Sequence, residues 1–200
     1  MNNLFFPKLE NEKDYDNLQI DSIGKYSITV PKIADLITDI IYSVIKTKDV
    51  VITDCTAGVG GNVISFANKF KHVNAIEISK ERFDMLENNI NIYKLNNVIC
   101  LNLNCLDIIF TLKQDVIFID PPWGGRDYKE KLNLRLNLGN IGIEKLSNMF
   151  LNNKICNYVV LKLPTNYDLN YLRNTIDEDK RIIINKLNKM LLIIIYCFNL

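Results

Sequence analysis

The stretch FIDPPWGGRDY, Phe118 to Tyr128, places the only tryptophan of the chain on a turn after a run of apolar residues and one acid. Pro121 and Pro122 fix their own backbone angles and restrict the residue before each, so Asp120 and the neighbouring carbonyls are held in one geometry. Such a turn suits a nucleobase amine. That nitrogen is a poor nucleophile because its lone pair is delocalised into the ring, and catalysis then consists largely of orienting it towards an electrophile. Carbonyls of the Asp120–Pro121 turn can accept hydrogen bonds from the amine and direct the lone pair without a strong base. A lone tryptophan is usually a packed core aromatic. Between Asp-Pro-Pro and Gly-Gly, at a strand end, Trp123 reads instead as a platform for a flat ring. Indole is the best side-chain face for a cation, worth about 0.5–2 kcal/mol, which points to a positively charged base.

A second group of residues lies upstream. Asp54 closes DVVITD, and Gly58, Gly60 and Gly61 lead into the next helical pattern as G-x-G-G. Glycines there let a ligand approach the backbone. Their spacing differs from the G-x-G-x-x-G of nicotinamide-cofactor enzymes, the structural competitor. Glu77 ends the following strand, where a carboxylate can accept hydrogen bonds from both hydroxyls of a ribose. Asn104 ends the one after, where an amide can bond an adenine edge. Taken singly, each is as readily a tight connection or a surface polar residue. Their order along successive strand ends resembles that of class I S-adenosylmethionine-dependent methyltransferases, which makes S-adenosylmethionine the expected cofactor.

The elements that must position these residues follow from hydrophobic periodicity. PKIADLITDIIYSVI carries apolar residues at helical spacing, so a helix is expected over about residues 31–46. Strands are expected at DVVITD, HVNAIEIS, NVICLNLN, DVIFID and CNYVVLKLP, with helices between them at NVISFANKF, KERFDMLENNINIYKL, LDIIFTL and EKLSNMFLN, and at LNYLRNTI after the last. KYSIT, before the first long helix, reads as a short extended stretch. The strands are continuous apolar runs rather than alternating ones, the pattern of a mostly parallel sheet covered on both faces. RIIINKLN and KMLLIIIYCF are joined too closely for a crossover helix and should form an antiparallel C-terminal hairpin. The expected fold is thus α/β, and the resemblance implies a Rossmann-like class I methyltransferase sheet with helices on both faces. In such sheets ligands bind beyond the carboxyl ends of the strands.

Composition bounds the function. The chain has 200 residues, 48% hydrophobic and 24% charged, enough for one sizeable core, and a single domain over 1–200 is expected. A formal charge of +1 provides no field to draw it onto long nucleic acid or an anionic membrane. Residues 1–24 hold two lysines against five acids. Five cysteines without a C-x-x-C pair and a single histidine argue against a zinc site or disulfide framework, so no metal and a reducing, intracellular setting are expected. The longest apolar run, Met190–Phe198, falls short of the roughly 20 residues needed to span a bilayer.

DPPWGGRDY is similar to the (S/D)PPWGGxxY signature of trimethylguanosine synthases, which methylate the 2-amino group of a 7-methylguanosine RNA cap. LQIDSIGKYSITVPKIA, DCTAGVGGNVISFA, AIEISKERFDMLENNINIYKL and LKLPTNYDL resemble further family segments in the same order, over about residues 18–200. The resemblance implies that Thr29, Asp54, Gly58, Gly60, Glu77 and Asn104 hold S-adenosylmethionine. It implies that Trp123 stacks on the methylated guanine while Asp120 and Pro121 position the amine, with Pro122 and Asn89 also against the base or its ribose. The chain departs from the pattern at Thr56-Ala57, at Asn104 in place of an acid, and at Thr165 in place of an arginine expected to bind cap phosphates. Lys162, Arg126 and Lys129 are the nearby cations in sequence.

The resemblance therefore implies a cap guanosine 2-amino methyltransferase, acting on capped RNA or a cap nucleotide by direct in-line transfer. Two alternatives stand beside it: another nucleobase amino methyltransferase, acting on adenine or ribosomal RNA guanine, and a cap-binding protein without catalysis. A monomer is expected, with about residues 1–30 forming a short extension over the active site, and Phe5 and Phe6 as its lid aromatics.

Overall fold

Apolar strands that alternate with amphipathic helices can satisfy their backbone only in a sheet shielded by those helices. The computed structural model describes residues 4–198, the side chain of Arg126 apart. These divide into two compact units, residues 4–112 and 113–198.

In the first unit a 3-10 turn (Glu12–Asn17) precedes α1 (Ser22–Ser27), α2 (Pro31–Ile45), β1 (Val51–Asp54), α3 (Gly61–Lys69), β2 (His72–Ile76), α4 (Lys80–Ile92), β3 (Val98–Leu101) and α5 (Cys105–Ile108). The strands run parallel in the order β3-β2-β1. Asp54 pairs with Ala75, and Ile76 with Leu101, so Asp54, Glu77 and the residues after Leu101 emerge at one edge. Pro31 starts α2 at a position where its missing N–H costs nothing. That helix buries Ala34, Ile37, Thr38 and Ile41, the stripe its periodicity predicts.

The second unit holds β4 (Val116–Ile119), a 3-10 turn (Arg126–Glu130), β5 (Asn137–Leu138), β6 (Ile141–Gly142), α6 (Ile143–Asn152), β7 (Tyr158–Pro164), α7 (Leu169–Thr175), β8 (Lys180–Leu187) and β9 (Met190–Cys197). Its main strands lie in the order β4-β7-β9-β8. β4 and β7 are parallel, and β8 and β9 form the expected antiparallel hairpin, turned by Asn188 at φ 42°. The fold class is the expected one, a seven-strand and mostly parallel sheet with a C-terminal antiparallel hairpin and helices around it. Among the described residues no helix is long and apolar enough to cross a membrane.

Two local expectations are corrected. Lys25 to Ser27 are helical rather than extended, because the Asp21 carboxylate accepts from the Gly24 N–H at 2.6 Å and starts α1. The small β5–β6 hairpin has a sequence signal, Gly139-Asn140 between Leu138 and Ile141, in a stretch where periodicity predicts no element.

The N-terminal segment is pinned to its own unit. Phe6 is 1% exposed, so it is a packed core residue and not a presented aromatic. Pro7 O accepts from Tyr93 Oη at 2.5 Å, and Asn17 O from Asn88 Nδ2 at 2.9 Å. The principal clamp is Asn89, which is fully buried. Its Nδ2 donates to Gln19 O at 2.8 Å and Val59 O at 3.0 Å, and its Oδ1 accepts from Gln19 N at 2.8 Å. One amide thus joins α4 to both the N-terminal segment and the glycine loop. Asn89→Ala leaves the buried Val59 carbonyl and the part-buried Gln19 N–H and carbonyl without this partner, so urea unfolding should show a loss of about 1–3 kcal/mol.

Candidate active site

The glycine loop is shaped from below. Asp54, 1% exposed, accepts from Thr56 N at 2.9 Å and holds the turn out of β1. Gly58 (φ 55°) and Gly60 (φ 103°) occupy the left-handed region that side-chain-bearing residues avoid. Glu77 spans the next gap: Oε2 accepts from Gly58 N at 2.9 Å and Oε1 from Ser79 N at 2.8 Å. The carboxylate predicted to meet a ribose therefore also ties the end of β2 to the loop. Asn102 Nδ2 donates to Glu77 O at 2.9 Å and closes the same edge. Beside Glu77, Ile78 is 67% exposed and offers an apolar surface for a flat ring.

Asn104 caps α5, its Oδ1 accepting from Leu106 N at 3.2 Å. The amide oxygen is thereby engaged. What remains is the nitrogen, a donor suited to a ring nitrogen acceptor of adenine rather than to its amino group.

A close approach brings Thr29 to this loop. A Cβ on Gly61 would stand 2.6 Å from Ile28 Cγ1 and 2.8 Å from Thr29 O, so only glycine lets that segment lie against the start of α3. Thr29 is 5% exposed and Asn62 8%. Thr29 Oγ1 and Asn62 Oδ1 are buried without a hydrogen-bond partner. Gly60 provides α3 with no capping side chain, so its first N–H groups are available to an anion. Two orphaned oxygens and an uncapped helix start fit the ammonium and carboxylate of a methionine-like moiety. Asn62 stands in the GVGGN signature, yet only its orphaned oxygen marks it as more than a helix residue.

Asn89 does not belong to the site. Expected against the base or ribose, it is fully buried with its amide oxygen and nitrogen both engaged by backbone groups.

In the second unit, β4 and β7 set the platform. Ile119 pairs with Leu161, so Asp120 and Lys162, each one residue further, face one another. Lys162 Nζ lies 2.5 Å from Asp120 Oδ2, and the two side chains are 5% and 18% exposed. Burial pushes the Asp120 carboxyl above its ordinary pKa, while the Lys162 charge and hydrogen bond pull it back. The Trp123 indole N–H assists in the same downward direction, although it meets no acceptor with full hydrogen-bond geometry. Lys162 Nζ stands 5.1 Å from the centre of the Trp123 ring, and the Tyr128 ring meets Trp123 edge-on at 5.1 Å and 76°. Pro121 is buried, Pro122 exposed and Trp123 half-buried. Gly124 and Gly125 follow with φ of 93° and 77°.

The segment after β7 braces this platform. Asn166 Nδ2 donates to Tyr128 O and Lys131 O, both at 2.7 Å, and so fixes the loop that carries Tyr128. Of the cations considered for phosphates, Lys162 is buried in its ion pair and cannot serve. Lys129 is exposed and lies 5.9 Å over the Tyr128 ring, and the Arg126 side chain is outside the described residues. Among the described residues no group of three or more His, Cys, Asp or Glu side chains could hold a metal.

Comparisons with known proteins give the family and the fold. Residues 49–199 match the family model described as RNA cap guanine-N2 methyltransferase. Protein L320 of Acanthamoeba polyphaga mimivirus is 43% identical over 75% of this chain and 59% of its own length. The trimethylguanosine synthase of Saccharomyces cerevisiae is 30% identical over 74% of this chain and 48% of its own length. The chain thus spans about half to three fifths of these relatives. Among solved structures, a precorrin-6y C5,15-methyltransferase of Geobacter metallireducens superposes with a TM-score of 0.61 at 15% identity, over 92% of this chain and 95% of the other. SMU.1697c of Streptococcus mutans, solved in complex with SAH, gives 0.56 at 12% identity, over 86% and 99%. At these identities the structures speak for the fold alone.

Gly61→Ala should displace Ile28 and Thr29, because the atoms met include a backbone oxygen. Calorimetric titration should show at least about tenfold weaker S-adenosylhomocysteine binding, and thermal unfolding a loss of about 1–3 kcal/mol.

Proposed function

The chain belongs to the RNA cap guanine-N2 methyltransferase family, and from that premise we propose that it methylates the exocyclic 2-amino group of a 7-methylguanosine RNA cap. It is an enzyme of the S-adenosylmethionine-dependent methyltransferases. When bound, S-adenosylmethionine supplies an electrophilic methyl on a sulfonium centre. The first unit's residues fit that ligand: the Gly58–Gly61 loop shaped by Asp54, Thr29 and Asn62 for the amino-acid end, Glu77 for the ribose, and Asn104 with Ile78 for the adenine.

The second unit's residues hold the acceptor. Trp123 presents a half-exposed indole to the flat base, and Tyr128 fixes its edge. The Asp120–Pro121 carbonyls and the exposed Pro122 position the amine. Asp120, whose ionised form Lys162 favours and burial disfavours, faces a nitrogen that becomes cationic on methylation and then releases a proton to solvent. No strong general base is needed, because orientation provides most of the rate. Lys129 takes the cap phosphates in place of the arginine that Thr165 replaces. Capped RNA or a cap nucleotide is the substrate, and the protein acts as a monomer with its N-terminal segment against the donor site.

The observation that carries this reading is the half-exposed Trp123 directly after Asp-Pro-Pro and before Gly-Gly. The Gly-Gly pair and the formal charge of +1 disfavour an enzyme of long nucleic acids.

Mass spectrometry of 7-methyl-GTP and GTP after incubation with the protein and S-adenosylmethionine should show methyl gain on the first only. Gain on neither, or equal gain on both, overturns the assignment. Trp123→Ala should weaken 7-methyl-GTP binding by at least about tenfold, the scale of a desolvated cation–π contact, and leave S-adenosylhomocysteine binding unchanged.

A further inference from the structure

Lys162 has no part in the mechanism above beyond its pairing with Asp120, yet it is a 4% exposed lysine in the middle of an apolar strand. Lysines are almost never fully buried unless paired, and an apolar residue of similar volume in place of a buried ion pair is often neutral or stabilising. The position of its ammonium gives a reason for its presence. Nζ lies over the Trp123 ring, 5.1 Å from its centre, and Tyr128 meets the same indole in a T-shaped contact. A flat base that stacks on the indole would take the face away from the ammonium. That face attracts cations through the ring's negative π cloud. A positive charge already over the ring polarises the same cloud and repels a second cation across it. A neutral base feels neither effect. Asp120, 2.5 Å from the ammonium, offsets the repulsion.

We infer that Lys162 is a specificity-determining residue: together with Asp120 it sets how strongly the Trp123 platform prefers a cationic base over a neutral one. The inference rests on the cap reading and deepens it. Lys162 lowers the preference for 7-methylguanine over guanine, and Asp120 raises it. The two partners of one ion pair thus act in opposite directions, which a purely structural pair would not do.

Quenching of Trp123, the sole tryptophan, reads binding at the platform directly. Titrations of the full chain with 7-methyl-GTP and with GTP give the ratio of the two dissociation constants. Lys162→Met should raise the preference for 7-methyl-GTP by about three- to tenfold, and Asp120→Asn should lower it by a similar factor, the range of a single cation–π contact. Should Lys162→Met alone not fold, as a stranded carboxylate could cause, K162M is placed in the D120N background, where neither charge remains. There it must raise the ratio relative to D120N alone. Binding of both nucleotides to the unmodified protein, with a ratio that stays constant or moves the same way in both variants, overturns the inference and leaves the cap reading intact. No quenching of the unmodified protein by either nucleotide overturns the cap reading and the inference with it.

Discussion

A parallel strand ends with backbone groups that have run out of ladder partners, and among the described residues polar side chains gather at these ends. In the first unit Asp54 takes the Thr56 N–H, Glu77 takes those of Gly58 and Ser79, Asn102 donates to Glu77 O, and Asn104 caps α5. In the second, Asp120 and Lys162 face each other one residue beyond the last pair of β4 and β7, and Asn166 draws in the loop that follows Trp123. These groups first complete the fold, since a buried unpaired polar group is costly. What remains of their hydrogen-bonding capacity is what a ligand can use. Asn104 shows the principle most plainly, because the engaged amide oxygen leaves the nitrogen for adenine.

The sequence made the architecture legible because its strands are continuous apolar runs and its helices are amphipathic. Asp54, the glycine loop, Glu77 and Asp-Pro-Pro-Trp were recognisable because each combines an unusual residue type with a strand end. Asn89 was misread for a physical reason: an asparagine on a charged helix looks solvated or ligand-facing, and nothing local shows that Gln19 and Val59 come to its amide. Asn62 was passed over because an asparagine early in a helix is ordinary until its oxygen proves buried without a partner. The helix Ser22–Ser27 was hidden for want of length, since six residues give periodicity little to act on and its start depends on the single Asp21 cap. Lys162 looked like a free cation because charge is visible in a sequence and the register that sets it opposite Asp120 is not.

The platform is built with few degrees of freedom. Two prolines precede Trp123, two left-handed glycines follow it, Tyr128 meets its edge, and Asn166 fixes Tyr128 through the backbone. The glycines permit a turn that other residues would strain, while Asn166 restores the order that glycine gives up. On the proposed reading, selectivity is tuned by charge placed against the ring, a different strategy from closing a flexible loop around the base.

The Asn89 clamp gives the first unit a thermodynamic coupling. A single amide grips Gln19 in the N-terminal segment and Val59 in the glycine loop, so the docked segment and the ordered loop share one set of bonds. A ligand whose affinity depends on the segment being docked must, by reciprocity, favour the docked segment by the same free energy. The N-terminal residues therefore act as a remote gauge of occupancy: their resistance to proteases and their amide exchange respond to a molecule they need never touch.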